Sequence, residues 1–208
     1  METVMIADMR AGREPNSSTT LWTGRVMSLI EDQVAVTDGA APVTRQYTGH
    51  TGAVAVVALR GDAGAEEILV ELQYRHPVRA RLWEIPAGLL DVEGEDPLVA
   101  ARRELAEETD LQAARWDLLV DVFTSPGGSA ESMRIFLARE LSPTGLVHER
   151  EDEEADLQWK WVSLDEAVAA CLDGRVHNGP TVAGVLAAHA ARCGGWSTLR
   201  AVDATWMR

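Results

Sequence analysis

The chain has 208 residues, 46% of them apolar, enough for one domain of ordinary size or one domain with a small appendage. Its net charge of −14 argues against a general nucleic-acid or anionic-membrane surface, but leaves room for an anionic small molecule where metal ions and local arginines reverse the field. The two cysteines, Cys171 and Cys193, make no disulfide framework, METVMIADMR lacks the apolar region of a secretory signal, and no stretch is as long as a membrane span, so the cytoplasm is the expected compartment.

Residues 1–20 are polar and turn-rich toward Gly12, Pro15 and Asn16, and read as a loosely ordered lead. Three short strands are expected around 21–29, 32–37 and 43–47, with turns at Glu31-Asp32 and across 38–42. So small a sheet buries little alone and needs a second surface, either the main domain or another subunit. Residues 52–59 are a near-continuous run of alanine and β-branched residues, suited to a buried strand. Gly61-Asp62-Ala63-Gly64 turns the chain, 68–74 return as the hairpin partner, and Pro77 ends the ladder. A short strand at 82–86 feeds a loop at Gly88.

A helix follows. Asp96 is a good N-cap, Pro97 sits at the first helical position, and nothing breaks the pattern before Thr109. Leu98, Ala101 and Leu105 share a flank that can face a core. Glu104, Glu107 and Glu108 crowd another flank, and like charges at this spacing oppose the helix unless neutralised. A hard divalent cation with oxygen ligands would neutralise them; the plain alternative is a solvated acidic face. Strands are expected at 116–124 and 133–139, on either side of a loop over 125–129. Residues 142–155 form a loop with an acidic run, Glu149, Glu151, Asp152, Glu153 and Glu154. Leu157, Trp159 and Trp161 alternate with Gln158 and Lys160, as in a half-buried strand. Ser163 and Glu166 form a capping box for a helix to about Leu172, and a last helix runs from near Pro180 to Arg192 before Gly194-Gly195. Strands on both sides of one long helix, with another helix at the end, imply a mixed sheet sandwiched between helices.

The stretch from Gly88 to Leu111, GLLDVEGEDPLVAARRELAEETDL, resembles the Nudix box, G-x5-E-x7-R-E-U-x-E-E-x-G-U with U apolar. The matching residues are Gly88, Glu95, Arg103-Glu104, Leu105, Glu107-Glu108 and Leu111. One extra residue lies between Gly88 and Glu95, and Asp110 stands where the motif has its final glycine. Aspartate tolerates the left-handed conformation of that position better than most residues, and neither departure removes a carboxylate. The resemblance implies an α/β (α+β) fold, the Nudix α/β/α sandwich, with a small N-terminal antiparallel β-sheet domain. Residues 1–48 would be the sheet and dimerisation region and 49–208 the Nudix hydrolase domain.

Gln73-Tyr74-Arg75-His76-Pro77 is similar to the QYR segment of the ADP-ribose pyrophosphatases of this superfamily, and Leu82 to Gly88 to their lead into the box. Pro126 stands fifteen residues past Leu111, near the offset of a proline that marks that branch. The resemblance implies Mg²⁺-dependent hydrolysis of ADP-ribose to AMP and ribose 5-phosphate, with Mn²⁺ as a substitute ion. The carbonyl of Ala87 and the side chains of Glu104, Glu107 and Glu108 would hold the metal. Arg103 would orient a neighbouring carboxylate, while Arg75, Glu84 and Pro126 would meet the substrate. A glutamate of the acidic loop, Glu153 or Glu154, would be the general base. Trp22 is the aromatic candidate to stack on adenine, across a homodimer interface; its other place is the core of the small sheet. Trp83 reads as core. The expected partner is a small nucleoside diphosphate sugar and a second copy of the chain, with no nucleic acid and no membrane. The alternatives are a Nudix hydrolase of another nucleoside diphosphate sugar, or a non-catalytic ADP-ribose-binding module. Against the latter stand the intact glutamates and the lack of a basic recognition helix.

Overall fold

Two sheets make up the β structure, described by a computed structural model over residues 6–147 and 157–208. The first holds β1 (Ser17–Thr23), β2 (Met27–Val34) and β3 (Val43–His50), antiparallel and in that order. The second has seven strands. Its main path is β10-β5-β4-β9-β8, with β6 paired to β5 and β7 paired to β4. The strands are β4 (Ala53–Arg60), β5 (Glu67–Arg75), β6 (Ala80–Glu84), β7 (Ala87–Leu89), β8 (Leu111–Phe123), β9 (Ser132–Pro143) and β10 (Gln158–Ser163). Only β4 and β9 run parallel among these pairs, so the sheet is mixed.

The run over 52–59 becomes the central strand because both of its faces are buried. Ala53, Ala55, Val57 and Leu59 join one core, with Ile68, Val70, Ile85 and Ile135. Val54, Val56 and Ala58 join the other, with Leu69, Leu118 and Phe136. The second core is covered by α1 (Pro97–Thr109), which contributes Ala100, Ala101 and Leu105, all fully buried. The first is covered by α2 (Leu164–Leu172) and α3 (Gly179–Cys193) through Leu164, Ala167, Val185, Ala188 and Ala191. This is the α/β/α sandwich expected from the residue pattern. Among the described residues no helix is long and apolar enough to cross a membrane.

The caps behave as their residue types dictate. Asp96 accepts the amides of Leu98 and Val99 at 2.9 and 3.4 Å, and Pro97 opens α1. Asp110 ends it at φ 58°, the left-handed position otherwise given to glycine, with its amide bonded to the Ala106 carbonyl at 2.9 Å. Ser163 caps α2 by accepting the Glu166 amide at 3.1 Å, whereas the Glu166 carboxylate pairs outward with Arg175 rather than closing the box.

The small sheet departs from expectation in register. Glu31-Asp32 is not a turn but the middle of β2, because each side chain is held by β3: Gln46 donates to Glu31 at 2.7 Å and Tyr47 to Asp32 at 3.1 Å. The turn lies earlier, between β1 and β2, closed by the Gly24 amide on the Met27 carbonyl at 2.9 Å. Trp22 folds its ring onto Gly24, filling the space that a side chain there would need. Trp22 is 57% exposed, so it is not the core of this sheet. Three short strands flanked by polar turns offer too little apolar surface to enclose an indole. β8 and β9 are both longer than expected, since β8 starts directly after the Asp110 cap and pairs with β9 from Leu111↔Pro143 onward. The short strand β7 lies where the sequence predicts only a loop at Gly88.

Candidate active site

Five consecutive residues, Glu84 to Gly88, connect β6 through β7 to the loop before α1, and they meet β5, α3, β4 and α1 in turn. Glu84 receives a two-pronged bond from Arg75, Nε to Oε1 at 3.0 Å and Nη2 to Oε2 at 2.8 Å. The carboxylate is almost fully buried, the arginine side chain 38% exposed. The Ile85 amide donates to Thr181 Oγ1 at 3.0 Å, and that hydroxyl donates to Asn178 Oδ1 at 2.8 Å, so the N-cap of α3 reaches through to the segment. The Pro86 carbonyl accepts the Val56 amide at 2.8 Å. The Ala87 amide donates to Glu108 Oε2 at 3.1 Å. Gly88 lies against Glu104: a Cβ built there would fall 2.0 Å from the carboxyl carbon of Glu104. Glycine is required at this position for close approach, not for a left-handed conformation.

On α1, Glu104 and Glu108 are buried at 8% and 5% exposure, while the Glu107 side chain is 44% exposed. Arg103 neutralises the crowding that the spacing predicted. It donates to Glu95 at 3.2 and 3.1 Å, to Glu104 at 2.7 Å and to Glu107 at 3.1 Å. The hydrogen bond it donates to Glu95, against the opposing cost of burial and with the help of Glu104 and Glu107, holds the Arg103 guanidinium above its ordinary pKa. Among the described residues, no group of three or more acids, histidines or cysteines converges as a ready-made cage. The reason is geometric, since Glu95, Glu104 and Glu107 gather on Arg103.

The structure thus brings together Arg75, Glu84, Ala87, Arg103, Glu104, Glu107 and Glu108 around one short segment. Trp22 is in the other sheet. Pro126 lies on the loop between β8 and β9, exposed, and lines a cavity of about 570 Å³ with His50, Thr51, Phe123, Ser129 and Arg208. Glu153 and Glu154 lie outside the described residues. Trp83 is half-buried at the edge of the α2–α3 core, with the Lys160 ammonium 4.5 Å from its ring centre. The role of Thr181 carries no local sequence signal. Asn178-Gly179-Pro180-Thr181 signals a helix start, but nothing in it says which distant amide the hydroxyl accepts.

A mixed sheet between helices, with a glycine-tight loop leading into a glutamate-rich helix whose acids close on that loop, defines a Nudix-type site. The sequence profile of the NUDIX domain matches residues 49–183, and the chain belongs to that family. It is similar to an ADP-ribose pyrophosphatase of Mycobacterium tuberculosis, 45% identical over 194 residues, covering 93% of this chain and 91% of that one. It is also similar to a methanol dehydrogenase activator of Bacillus methanolicus, 37% identical over 169 residues, covering 79% of this chain and 86% of that one. A solved structure described as an ADP compounds hydrolase superposes with a TM-score of 0.70 at 19% identity, covering 91% of this chain and 98% of that chain, which shows the fold.

Gly88→Ala is expected to fold, because only the far end of the Glu104 side chain stands in the way. Moving that carboxylate by an ångström should lower turnover by about 10²-fold. Thermal unfolding beside steady-state kinetics checks both parts; full activity in the variant would remove Glu104 from the machinery.

Proposed function

We propose that the protein hydrolyses the diphosphate of ADP-ribose to AMP and ribose 5-phosphate, with Mg²⁺ as the ion and Mn²⁺ as its substitute. The observation that carries this reading is the burial of Glu104 and Glu108 against Ala87–Gly88, two acids held at a peptide corner with no room for a side chain. Similarity along nearly the whole chain to the M. tuberculosis enzyme supports the choice of substrate.

The donor set suits a hard divalent cation, since it consists of carboxylates and peptide oxygen. Glu104, Glu107, Glu108 and the carbonyl of Ala87 would hold it. When bound, such ions cancel diphosphate charge and make a bound water acidic enough to ionise near neutral pH. The remaining work belongs to the chain. Arg103 keeps the acids of the box in one orientation. Arg75, braced by Glu84, offers a planar cation to a phosphate oxygen pair. One of Glu153 and Glu154 takes the proton from the water as its oxygen attacks phosphorus. The bond from that phosphorus to the bridging oxygen breaks, and the two phosphate monoesters leave. Pro126 shapes the loop beside the substrate.

The reading includes a homodimer in the cytoplasm, with residues 1–48 as its interface region and 49–208 as the hydrolase domain. The small sheet exposes Leu21, Trp22, Met27, Leu29 and Val43, apolar surface that a second copy would cover. Light scattering at micromolar concentration should report twice the mass of one chain, and a monomer would remove the dimer from the reading.

ADP-ribose incubated with Mg²⁺ should yield AMP and ribose 5-phosphate by chromatography, and neither without a divalent ion. Glu108→Gln keeps the shape but withdraws one charge, so it should abolish most turnover while the fold persists. Near wild-type turnover at saturating metal would sink the role of Glu108. Of Glu153→Gln and Glu154→Gln, one alone should lower kcat, by about 10²–10⁴-fold, with KM little changed because the lost interaction belongs to the transition state. Full kcat in both would move the base elsewhere.

A further inference from the structure

Helix α3 directs one hydroxyl at the catalytic segment from the side of the sheet opposite the box helix. Thr181 is 1% exposed, and its backbone amide already completes the helix start by donating to Asn178 Oδ1 at 2.9 Å. The helix itself does not need the hydroxyl. That group donates its proton to the same Asn178 Oδ1 at 2.8 Å, which fixes its torsion and leaves its lone pairs for the Ile85 amide, 3.0 Å away and 96 residues distant in sequence. Gly184, one helical turn on, makes this reach possible. A Cβ there would fall 2.9 Å from Val57 Cγ2 and 3.1 Å from Ile85 Cδ1, so the helix lies directly on the segment only because that side chain is absent.

Ile85 needs that acceptor. It is 1% exposed and lies between β6, which ends at Glu84, and β7, which begins at Ala87. The next residue, Pro86, has no amide proton. Thr181 thus holds the one peptide donor between Glu84, which Arg75 braces, and Ala87, which Glu108 holds. A buried amide left without an acceptor costs more than its hydrogen bond contributes, and the chain around it shifts to find another. A shift at Ile85 displaces Ala87, two residues on, and with it the peptide corner against which Glu104 and Glu108 are packed.

We infer that Thr181 is a positioning residue of the hydrolase site, fixing from behind the sheet the peptide run that carries the Ala87 carbonyl. This rests on the hydrolase reading above and on Ala87 as a metal ligand within it. The hydroxyl touches neither substrate nor ion. It acts through the Ile85 amide, as hydrogen-bond partners one step behind a metal ligand do. Its loss therefore lowers metal affinity and kcat, while KM at saturating metal moves little because the contacts to the nucleoside are untouched.

The test uses the full-length protein. Thr181→Val keeps the shape and removes the hydroxyl. Mn²⁺ titrated without substrate, with the free ion followed by electron paramagnetic resonance, should bind about 10- to 100-fold more weakly than in wild type, and kcat on ADP-ribose should fall by a similar factor. Thr181→Ser restores the acceptor and should recover most of both losses. Val185→Ala opens a cavity in the same helix and core, so it should lower the unfolding temperature while Mn²⁺ affinity and kcat stay near wild type. Mn²⁺ affinity and kcat unchanged in Thr181→Val overturn the assignment, as does a Thr181→Ser variant no better than valine, or equal losses in Val185→Ala. If Thr181→Val does not fold, Asn178→Gly decides. Glycine is a tolerated cap but frees the Thr181 hydroxyl to rotate, so both quantities should fall, and unchanged values overturn the assignment. If wild type binds Mn²⁺ but leaves ADP-ribose intact, the substrate reading fails separately and Mn²⁺ affinity alone decides Thr181. A wild type that binds no Mn²⁺ overturns both.

Discussion

A carboxylate that gives up water must find replacement partners, and α1 carries two of them against a single stretch of backbone. Glu108 finds the Ala87 amide, and Glu104 lies so close to Gly88 that the absence of a Cβ is what admits it. Arg103 supplies the compensating charge from the same helix. Removing one partner would leave a buried acid uncompensated, which costs far more than the pair contributes net. The geometry of the site is therefore tied to the stability of the helix, and the acids are held in place before any ligand arrives.

The sandwich is what makes the Glu84–Gly88 segment rigid. β4 has two dry faces, so it lies in the middle of the sheet and can offer its edge groups to β7 and to the Pro86 carbonyl. The helix layers then act from opposite sides. α1 brings its acids from one face, and α3 brings Thr181 to the Ile85 amide from the other. Hydrogen bonds between elements this far apart in sequence hold only when both cores are packed, which couples the site to the whole domain.

Surface charge follows a similar economy. The chain is strongly acidic, yet several arginines on the main sheet are engaged: Arg134 with Asp121 at 2.8 Å, Arg139 with Asp117 at 2.6 Å, and Arg60, Arg134 and Arg139 over indole rings. Acids bind cations here in a structured way, and the aromatic rings serve mainly as platforms for guanidinium groups.

The amino-acid sequence alone determined the elements whose signals are local. Asp96-Pro97 started α1, Asp110 ended it, the alanine and β-branched run of 52–59 gave a doubly buried strand, and the spacing from Gly88 to Glu108 marked the box. These follow from capping, backbone preference and periodicity, which act within a few residues. Only the tertiary structure decided the contacts that cross the chain: Glu84 under Arg75, Thr181 on Ile85, Glu95 joining the Arg103 cluster, Trp159 in register with Glu71 and Glu84, and Trp22 outside any core. The Glu31-Asp32 turn was misplaced for the same reason, since Gln46 and Tyr47 on a neighbouring strand hold those acids in β2. A carboxylate in sequence shows its charge but not its partner; strand register and helix packing choose that partner, and both are set by the burial of distant apolar residues.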